Sequence, residues 1–360
     1  MAEEYRVVPY APEHRSAVLD LHGRLLPRAR SVNERYFTWK YEENPHIAEP
    51  LLALVFSGNH LVAMRGLCGT QWVARGQTSE TVPAAEDLII HPAHRNRGLF
   101  LLIDRKLVEI AAERGYSRLI SLSANSATRG LQDITGWDRV AAFGGSTRQP
   151  LQVPGGLADN PVIRRWRTRG TALARRTGIE VPRPVTALSV DRALEGVEGA
   201  LPSVRLSAAP NVDVFESLSP TPDALHQAHT AEFFDWRLRN PDREYRYLYW
   251  DDGGIEGYLI LGLQPSNPRR VMIVDGGATD GAILLDLVNA LGCATRPSLT
   301  ALTSTLPSPL GDRLPRLGFV ESDAAAGEPM VEVFTRTTSG TAAIQRGERW
   351  HTALIDTMLG

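Results

Sequence analysis

Apolar and polar positions alternate along the first 143 residues in two rhythms. YRVVPY (5–10) predicts a short strand. Ala17, Val18, Leu21 and Leu25 fall at helical spacing and predict a helix over 12–26, with a second expected over 33–42. LLALVF (51–56) and HLVAMRGLCGTQWVA (60–74) are strand-like and joined by the turn Ser57-Gly58-Asn59. After a turn at 76–79, TVPAAEDLII (81–90) is the next strand. Leu99, Ile103, Leu107 and Ile110 form one apolar stripe on a helix over 98–114. RLISLSA (118–124) is again a strand. Ala127, Leu131 and Ile134 align on a short helix over 126–135, which Gly136 ends, and Trp137 opens a last strand or pair of strands.

From 144 to about 210 the pattern breaks down. Gly144-Gly145, Pro150, Pro154, Gly155-Gly156, Pro182, Pro184 and Pro202 punctuate it. It contains RRWRTRGTALARR (164–176), expected to be a helix with six arginines. A solvated connector is the simple expectation for such a charge run. The alternative is an arm beside an anionic cofactor or an acidic carrier partner.

Beyond 210 the chain partly repeats itself. YFTWKYEENP (36–45) matches FFDWRLRNP (233–241), with Phe37, Trp39, Lys40, Asn44 and Pro45 facing Phe234, Trp236, Arg237, Asn240 and Pro241. HLVAMRG (60–66) matches GIEGYLI (254–260), GLFLLID (98–104) matches GAILLDL (281–287), and Gly136-Trp137 matches Gly318-Phe319. The common order points to a duplicated α/β unit. The expected division is a first domain at 1–143, a linker with the basic helix at 144–210, a degenerate second domain at 211–336 and a tail at 337–360 with a helix near 348–359. The repeated tryptophans and phenylalanines are expected in the core.

Composition narrows the class. At 43 % hydrophobic and 22 % charged, the 360 residues suit an ordinary globular protein of two units. A net charge of −2 argues against a nucleic-acid binder. No apolar run reaches the roughly 18 residues of a membrane span, and MAEEYRVV has no features of a secretory signal. The expectation is a cytoplasmic protein without a membrane partner. Cys68 and Cys293 match no metal or redox spacing and are expected as buried thiols, with no metal site.

One turn stands out. HPAHRNRGLF (91–100) follows a strand and opens a helix. A helix start offers unpaired N–H groups and partial positive charge, which suits phosphate. Gly98 lets backbone approach a ligand, and Arg95 and Arg97 add charges able to grip phosphate with two bonds. Neither the Walker loop nor the dinucleotide fingerprint is present.

IIHPAHRNRGLF resembles the acyl-CoA-binding motif of the GNAT superfamily of N-acetyltransferases, Arg/Gln-x-x-Gly-x-Gly/Ala after a strand. Arg95, Asn96, Arg97, Gly98 and Leu99 fit it, while Phe100 stands where Gly or Ala is usual. NSATRGLQDITGW (125–137) is similar to the family's Asn-x-x-Ala-x-x-x-Tyr-x-x-x-Gly-Phe. Asn125, Gly136 and Trp137 match, Thr128 takes the Ala position and Gln132 the Tyr position. The resemblance covers 5–143 well and 211–336 faintly. It implies an α/β fold of two tandem GNAT-like domains, each a mixed, mostly antiparallel sheet flanked by helices. It also implies a co-substrate, acetyl-CoA or another acyl-CoA, with its pyrophosphate on residues 95–100. The pantetheine arm would lie between the strands at 84–90 and 118–124, on backbone groups of Leu88, Ile89 and Ile90, and Asn125 would contact CoA further on.

The implied reaction moves an acyl group to a primary amine of a small molecule such as an amino sugar, an antibiotic or an amino acid derivative. Glu86 and Asp87 are the candidate bases, and strand alternation would admit only one to the cleft. His91 is a further candidate, or simply a turn residue. The usual acid is missing, since Gln132 cannot protonate a thiolate. The second unit lacks the basic turn: Ala278-Thr279-Asp280 precede Gly281, and Pro307 replaces Asn125. One CoA site per chain is therefore expected. Two alternatives remain: a non-catalytic CoA-binding or interaction protein, and an aminoacyl-tRNA-dependent transferase that uses the 164–176 arginines for RNA.

Overall fold

In the computed structural model, the residues described are 4–25, 29–74, 77–123, 126–148, 194, 197, 200–220, 222–264, 267–291, 298–302, 317, 319–321, 331–338, 350–352 and 356. Asn125, Cys293, the basic segment 164–176 and most of the expected helix near 348–359 lie outside them.

The first half of the chain runs β1 (Tyr5–Pro9), α1 (Arg15–Leu25) and α2 (Arg30–Phe37), which widens into a π-helical turn at Thr38–Glu42. Then come β2 (Leu51–Ser57), β3 (His60–Cys68), the short β4 (Gln71–Val73) and β5 (Glu80–Thr81), and β6 (Ala84–Ile90). They are followed by α3 (Leu99–Glu113), β7 (Arg118–Ser123), α4 (Ser126–Asp133), β8 (Asp138–Phe143) and β9 (Gly145–Arg148). In the second half are β10 (Val204–Ser207), α5 (Val212–Leu218), β11 (His226–Gln227), α6 (Ala231–Arg237), β12 (Glu244–Asp251), β13 (Ile255–Gln264) and β14 (Asn267–Ala278). The last elements are α7 (Gly281–Leu291), β15 (Ser298–Leu302), β16 (Val320–Glu321) and β17 (Val331–Thr337).

Two seven-stranded mixed sheets result, in the orders β1-β2-β3-β6-β7-β17-β8 and β10-β12-β13-β14-β15-β9-β16. In each, antiparallel pairs surround one parallel pair, β6 with β7 and β14 with β15. The α/β tandem expected from the sequence is thus the architecture observed. The two sheets exchange a strand. β17, from near the end of the chain, lies between β7 and β8 of the first sheet, and β9 lies between β15 and β16 of the second. The chain crosses from one sheet to the other at Gly144. A third, three-stranded sheet, β11-β4-β5, pairs the two halves again.

Local pattern explains the layers. Six successive residues of β2 are buried, as a central strand covered on both faces requires. Its neighbours α1 and α2 close one face through Val18, Leu21 and Phe37. The stripe Leu99, Ile103, Leu107 and Ile110 of α3 closes the other, against Ala85, Leu119, Trp137 and Phe334. A further core joins the halves, with Trp39, Val82, Ala84 and Ile120 packed against Phe233, Phe234 and Trp236. A buried polar knot fixes α3. Arg65 of β3 pairs with Asp104 at 2.7 Å, and Asp104 also accepts from Trp137 Nε1 at 3.1 Å and from Arg336 of β17 at 3.1 Å.

Candidate functional site

β6 and β7 are paired only where Ala84 faces Ile120. Beyond that rung they diverge. A cavity of about 520 Å³ opens there, lined by Leu88 and Ile90 of β6, by His94, Arg95, Asn96, Gly98, Leu99, Phe100 and Leu101 around the start of α3, by Thr128 and Leu131 of α4 and by Ile134 just after it. Of the residues expected at a CoA site, Leu88, Ile90, Arg95, Asn96, Gly98, Leu99 and Phe100 line this one cavity. Ile89 packs instead against the α1–α2 core, as strand alternation dictates. Arg97 donates to Tyr5 Oη at 3.1 Å.

Backbone geometry shapes the mouth. Asn96 (φ 59°) and Gly98 (φ 73°) are both left-handed, and Gly98 is the N-cap residue of α3 with no side-chain cap bond. The N–H groups of the first turn are therefore not closed off by a capping side chain. Arg95 Nε donates to Ile90 O at 3.2 Å, which holds the guanidinium at the strand end. His91 sits in the turn, its Nδ1 accepting from Ala93 N at 3.3 Å, and does not line the cavity.

The paired carboxylates lie on the same strand, nearer its paired end. The β3–β6 register skips between Met64 and Gly66, and Asp87, opposite this bulge, has φ 50°. At that kink both carboxylates reach the same cation, and of the two Glu86 lines a cavity. Lys40 Nζ, fully buried, lies 3.0 Å from Asp87 Oδ1 and 3.7 Å from Glu86 Oε2. Tyr41 Oη donates to Asp87 Oδ2 at 2.7 Å, and Tyr36 Oη donates to Asp87 Oδ1 at 3.2 Å while accepting from Lys40 at 3.0 Å. Gly66 is required opposite Glu86, because a Cβ there would run into the Tyr41 ring.

The two acids consequently differ. Burial works against the charge of Asp87, but Lys40 and the Tyr41 hydroxyl outweigh it and hold its carboxyl below the usual range. Burial dominates at Glu86 and pushes its carboxyl above the usual range despite Lys40. Asp87 is held as an anion, and Glu86 is the more easily protonated of the two. Glu86 also lines a small interlobe cavity with Cys68, Thr70 and Ala84 and with Phe233, Trp236, Arg237 and Asp356 from the second half. Burial drives the Cys68 thiol up to about 12, so it is an inert wall there.

Lys40 and Tyr36 were missed by motif reading. Their signal was present: a lysine between Trp39 and Tyr41, on a stretch otherwise expected in the core, needs a buried anion as partner. Asp356 carried no local signal. In the second half, α7 begins at Gly281 without a basic turn before it, and Gly277 is so closely covered by the Leu218 carbonyl that a Cβ would collide. Among the described residues, no group of three His, Cys, Asp or Glu side chains is arranged to hold a metal. No helix among them is long and apolar enough to cross a membrane.

No family model and no curated protein matches the chain in sequence. Solved structures match in fold. A protein of Enterococcus faecalis described as a probable N-acyltransferase superposes with TM-score 0.57 at 11 % identity, over 93 % of this chain and 72 % of that one. A tandem GNAT protein from the clavulanic acid biosynthesis pathway gives 0.52 at 16 %, over 94 % and 100 %. The N-myristoyltransferase of Saccharomyces cerevisiae, solved with myristoyl-CoA, gives 0.55 at 12 %, over 98 % and 80 %. At these identities the likeness defines the fold: the chain has the tandem GNAT fold.

Proposed function

We propose that the chain is a CoA-dependent N-acyltransferase that moves an acyl group, acetyl in the simplest case, from acyl-CoA to a primary amine of a small molecule. The observation that carries this reading is the cavity between β6 and β7, with the uncapped start of α3 and Arg95 at its mouth and Glu86 on the strand that forms its wall. The N–H groups at residues 98–100 and the guanidinium of Arg95 suit a pyrophosphate. The diverging strand edge at Leu88–Ile90 offers backbone groups to an extended arm. Its N–H groups can also polarise a thioester carbonyl.

Glu86 is the base in this reading. Its raised carboxyl lets it take a proton from the substrate ammonium and so free the amine lone pair that attacks. Asp87 is bound too tightly by Lys40, Tyr36 and Tyr41 to shuttle protons, and instead holds the bulge that presents Glu86. The second lobe, which lacks the basic turn, supplies part of the wall of the small cavity beside Glu86 and takes no CoA. The fold relatives support the class, and their printed donors support acyl-CoA.

Calorimetry with CoA tests the reading. One site per chain is expected, and Arg95→Ala combined with Arg97→Ala weakens binding by about tenfold, equivalent to about 1.4 kcal/mol. Two equal sites, or unchanged affinity in the variant, would remove the cradle and the reading with it.

A further inference from the structure

Another cavity, of about 100 Å³, lies apart from the one between β6 and β7, and among the described residues the two share no lining side chain. Its frame is the small sheet β11-β4-β5, in which the two halves of the chain pair. Trp72 of β4 forms one wall and is fixed by its Nε1, which donates to Thr70 Oγ1 at 3.0 Å. Trp350 forms another. It is tied to the same sheet by its bridge to Leu225 and by the bond from His351 N to Leu225 O at 3.0 Å. The two rings meet at 65° with centroids 5.5 Å apart, so they make a corner rather than a flat slot. The rim is polar and open to solvent. Arg118 Nη2 pairs there with Glu80 Oε2 at 3.0 Å, with 24 % and 45 % of the two side chains exposed. Gln77 and Thr78, both exposed, stand beside them.

These walls and this rim select a ligand. The Arg118–Glu80 pair carries no net charge, and a cation would meet the guanidinium while an anion would meet the carboxylate. A flat hydrocarbon ring would cover the indoles but take water from the polar rim without replacing its hydrogen bonds. A saturated ring bearing hydroxyls meets both demands. Its C–H face packs on an indole, whose π surface is negative. Its hydroxyls donate and accept, matching N–H donors on Arg118, an acceptor on Glu80 and both roles on Gln77 and Thr78. We infer that this corner between the halves is a binding site for one neutral sugar ring, seated with its outer edge in solvent. Glu80 and Val82 line it, and Ala84 and Glu86 line the small interlobe cavity further along the same stretch. At the rise of extended chain, Val82 and Glu86 are about 13 Å apart. The ring site therefore adjoins the carboxylate end of β6 and not the basic turn.

The test needs neither CoA nor an acyl acceptor, so its outcome is separate from that of the transferase reading. The intact chain is titrated with the methyl glycosides of glucose, galactose and mannose, and with that of glucuronic acid. Tryptophan emission reads occupancy, because two of the chain's 7 tryptophans form the walls. At least one neutral glycoside should saturate the signal with a Kd on the order of 1 mM, the range that ordinary efficiency gives a ligand of about a dozen heavy atoms. The glucuronide should bind less well than that glycoside. Trp350→Ala should weaken neutral binding about tenfold. Glu80→Gln, at an exposed position, leaves the Arg118 charge without its partner and should reverse the preference towards the glucuronide. That gain of binding cannot arise from a damaged fold. Failure of all three neutral glycosides to bind, equal affinity in Trp350→Ala, or an unreversed preference in Glu80→Gln would overturn the inference. Tighter binding of benzyl alcohol or choline than of any sugar would overturn it as well.

Discussion

Trp39 and Trp236 hold each other reciprocally across the duplication. Trp39 Nε1 donates to the Trp236 carbonyl at 2.8 Å, and Trp236 Nε1 donates to the Trp39 carbonyl at 2.7 Å. The rings stack with centroids 5.1 Å apart and planes 11° apart. The two residues that align in the sequence repeat are thus each other's partners, and the contact is an internal two-fold. Trp39→Phe leaves a buried carbonyl without its donor and should cost about 1–3 kcal/mol. A double-mutant cycle with Trp236→Phe should return a coupling of about 0.5 kcal/mol or more. Additive losses in denaturant titration would show that the reciprocity has no energetic content.

Lys40 leads to a second expectation. It is fully buried beside Glu86 and Asp87. Lys40→Met strands two carboxylates and should destabilise the fold by about 3–5 kcal/mol. Adding Asp87→Asn should recover part of that loss, because the lysine's main partner is then neutral. Urea midpoints of the single and double variants decide it. A double variant weaker than the sum of the singles would mean that Lys40 serves something other than this pair.

Much of this was legible in the sequence, and the limits are instructive. Strands β2, β3, β6 and β7 and helices α1 and α3 follow directly from apolar spacing. The repeat FTWK/FDWR located the contact between the lobes without revealing that it is one. Pattern does not encode which sheet a strand joins. Trp137 was expected to open a last strand or pair of strands; β8 and β9 both exist, one residue apart, yet they belong to different sheets. Pairing across some two hundred residues leaves no local mark. The bulge at Asp87 was equally hidden, because it depends on Gly66 and Tyr41 meeting from two other elements.

With Glu86 as the proposed base, the rate should depend on pH. A base must be deprotonated to act, and burial raises its carboxyl above the ordinary value of 4.5. The rate should therefore climb with pH through a midpoint above 4.5 and then level off. Glu86→Gln should lose the rising limb and about 10²–10⁴-fold in kcat, the usual worth of a positioned base. Asp87→Asn should keep the limb, with its losses appearing in stability. A rate profile unchanged in Glu86→Gln would place the base elsewhere.

His229 sets a limit at the alkaline end. Burial lowers its proton affinity, but Asp356 at 2.7 Å and Asp275 at 3.9 Å outweigh this and raise it to about 9. The folded value lies above the unfolded one, so the stabilisation is fully present below about 6.5 and is lost as pH rises through about 9. A shift of this size corresponds to a contribution on the order of 3 kcal/mol. Because Asp356 lines the cavity that holds Glu86, weakening this pair also loosens that wall. Thermal melts from pH 6 to 10 should show wild type losing stability while His229→Gln stays flat. Parallel curves would refute the linkage.

Strand exchange makes a last prediction about folding. β17 bonds to both β7 and β8 and brings Phe334, fully buried, into the core under α3. Its Glu332 pairs with Arg129 and Arg139, each at 2.9 Å, and its Arg336 completes the Asp104 knot. β9 closes the second sheet in return. Neither sheet is whole without a strand from the other half, so neither half can lose its structure alone. The chain should unfold in one cooperative transition, with calorimetric and van't Hoff enthalpies in agreement. Phe334→Ala should cost about 3–5 kcal/mol and move that single transition, although the residue lies some two hundred positions from the helix it supports. Fragment 1–148, deprived of β17, should show no cooperative melt and no CoA binding. Two separate transitions in the intact chain, or a fragment that melts cooperatively, would mean that the exchanged strands decorate two independent lobes rather than join them.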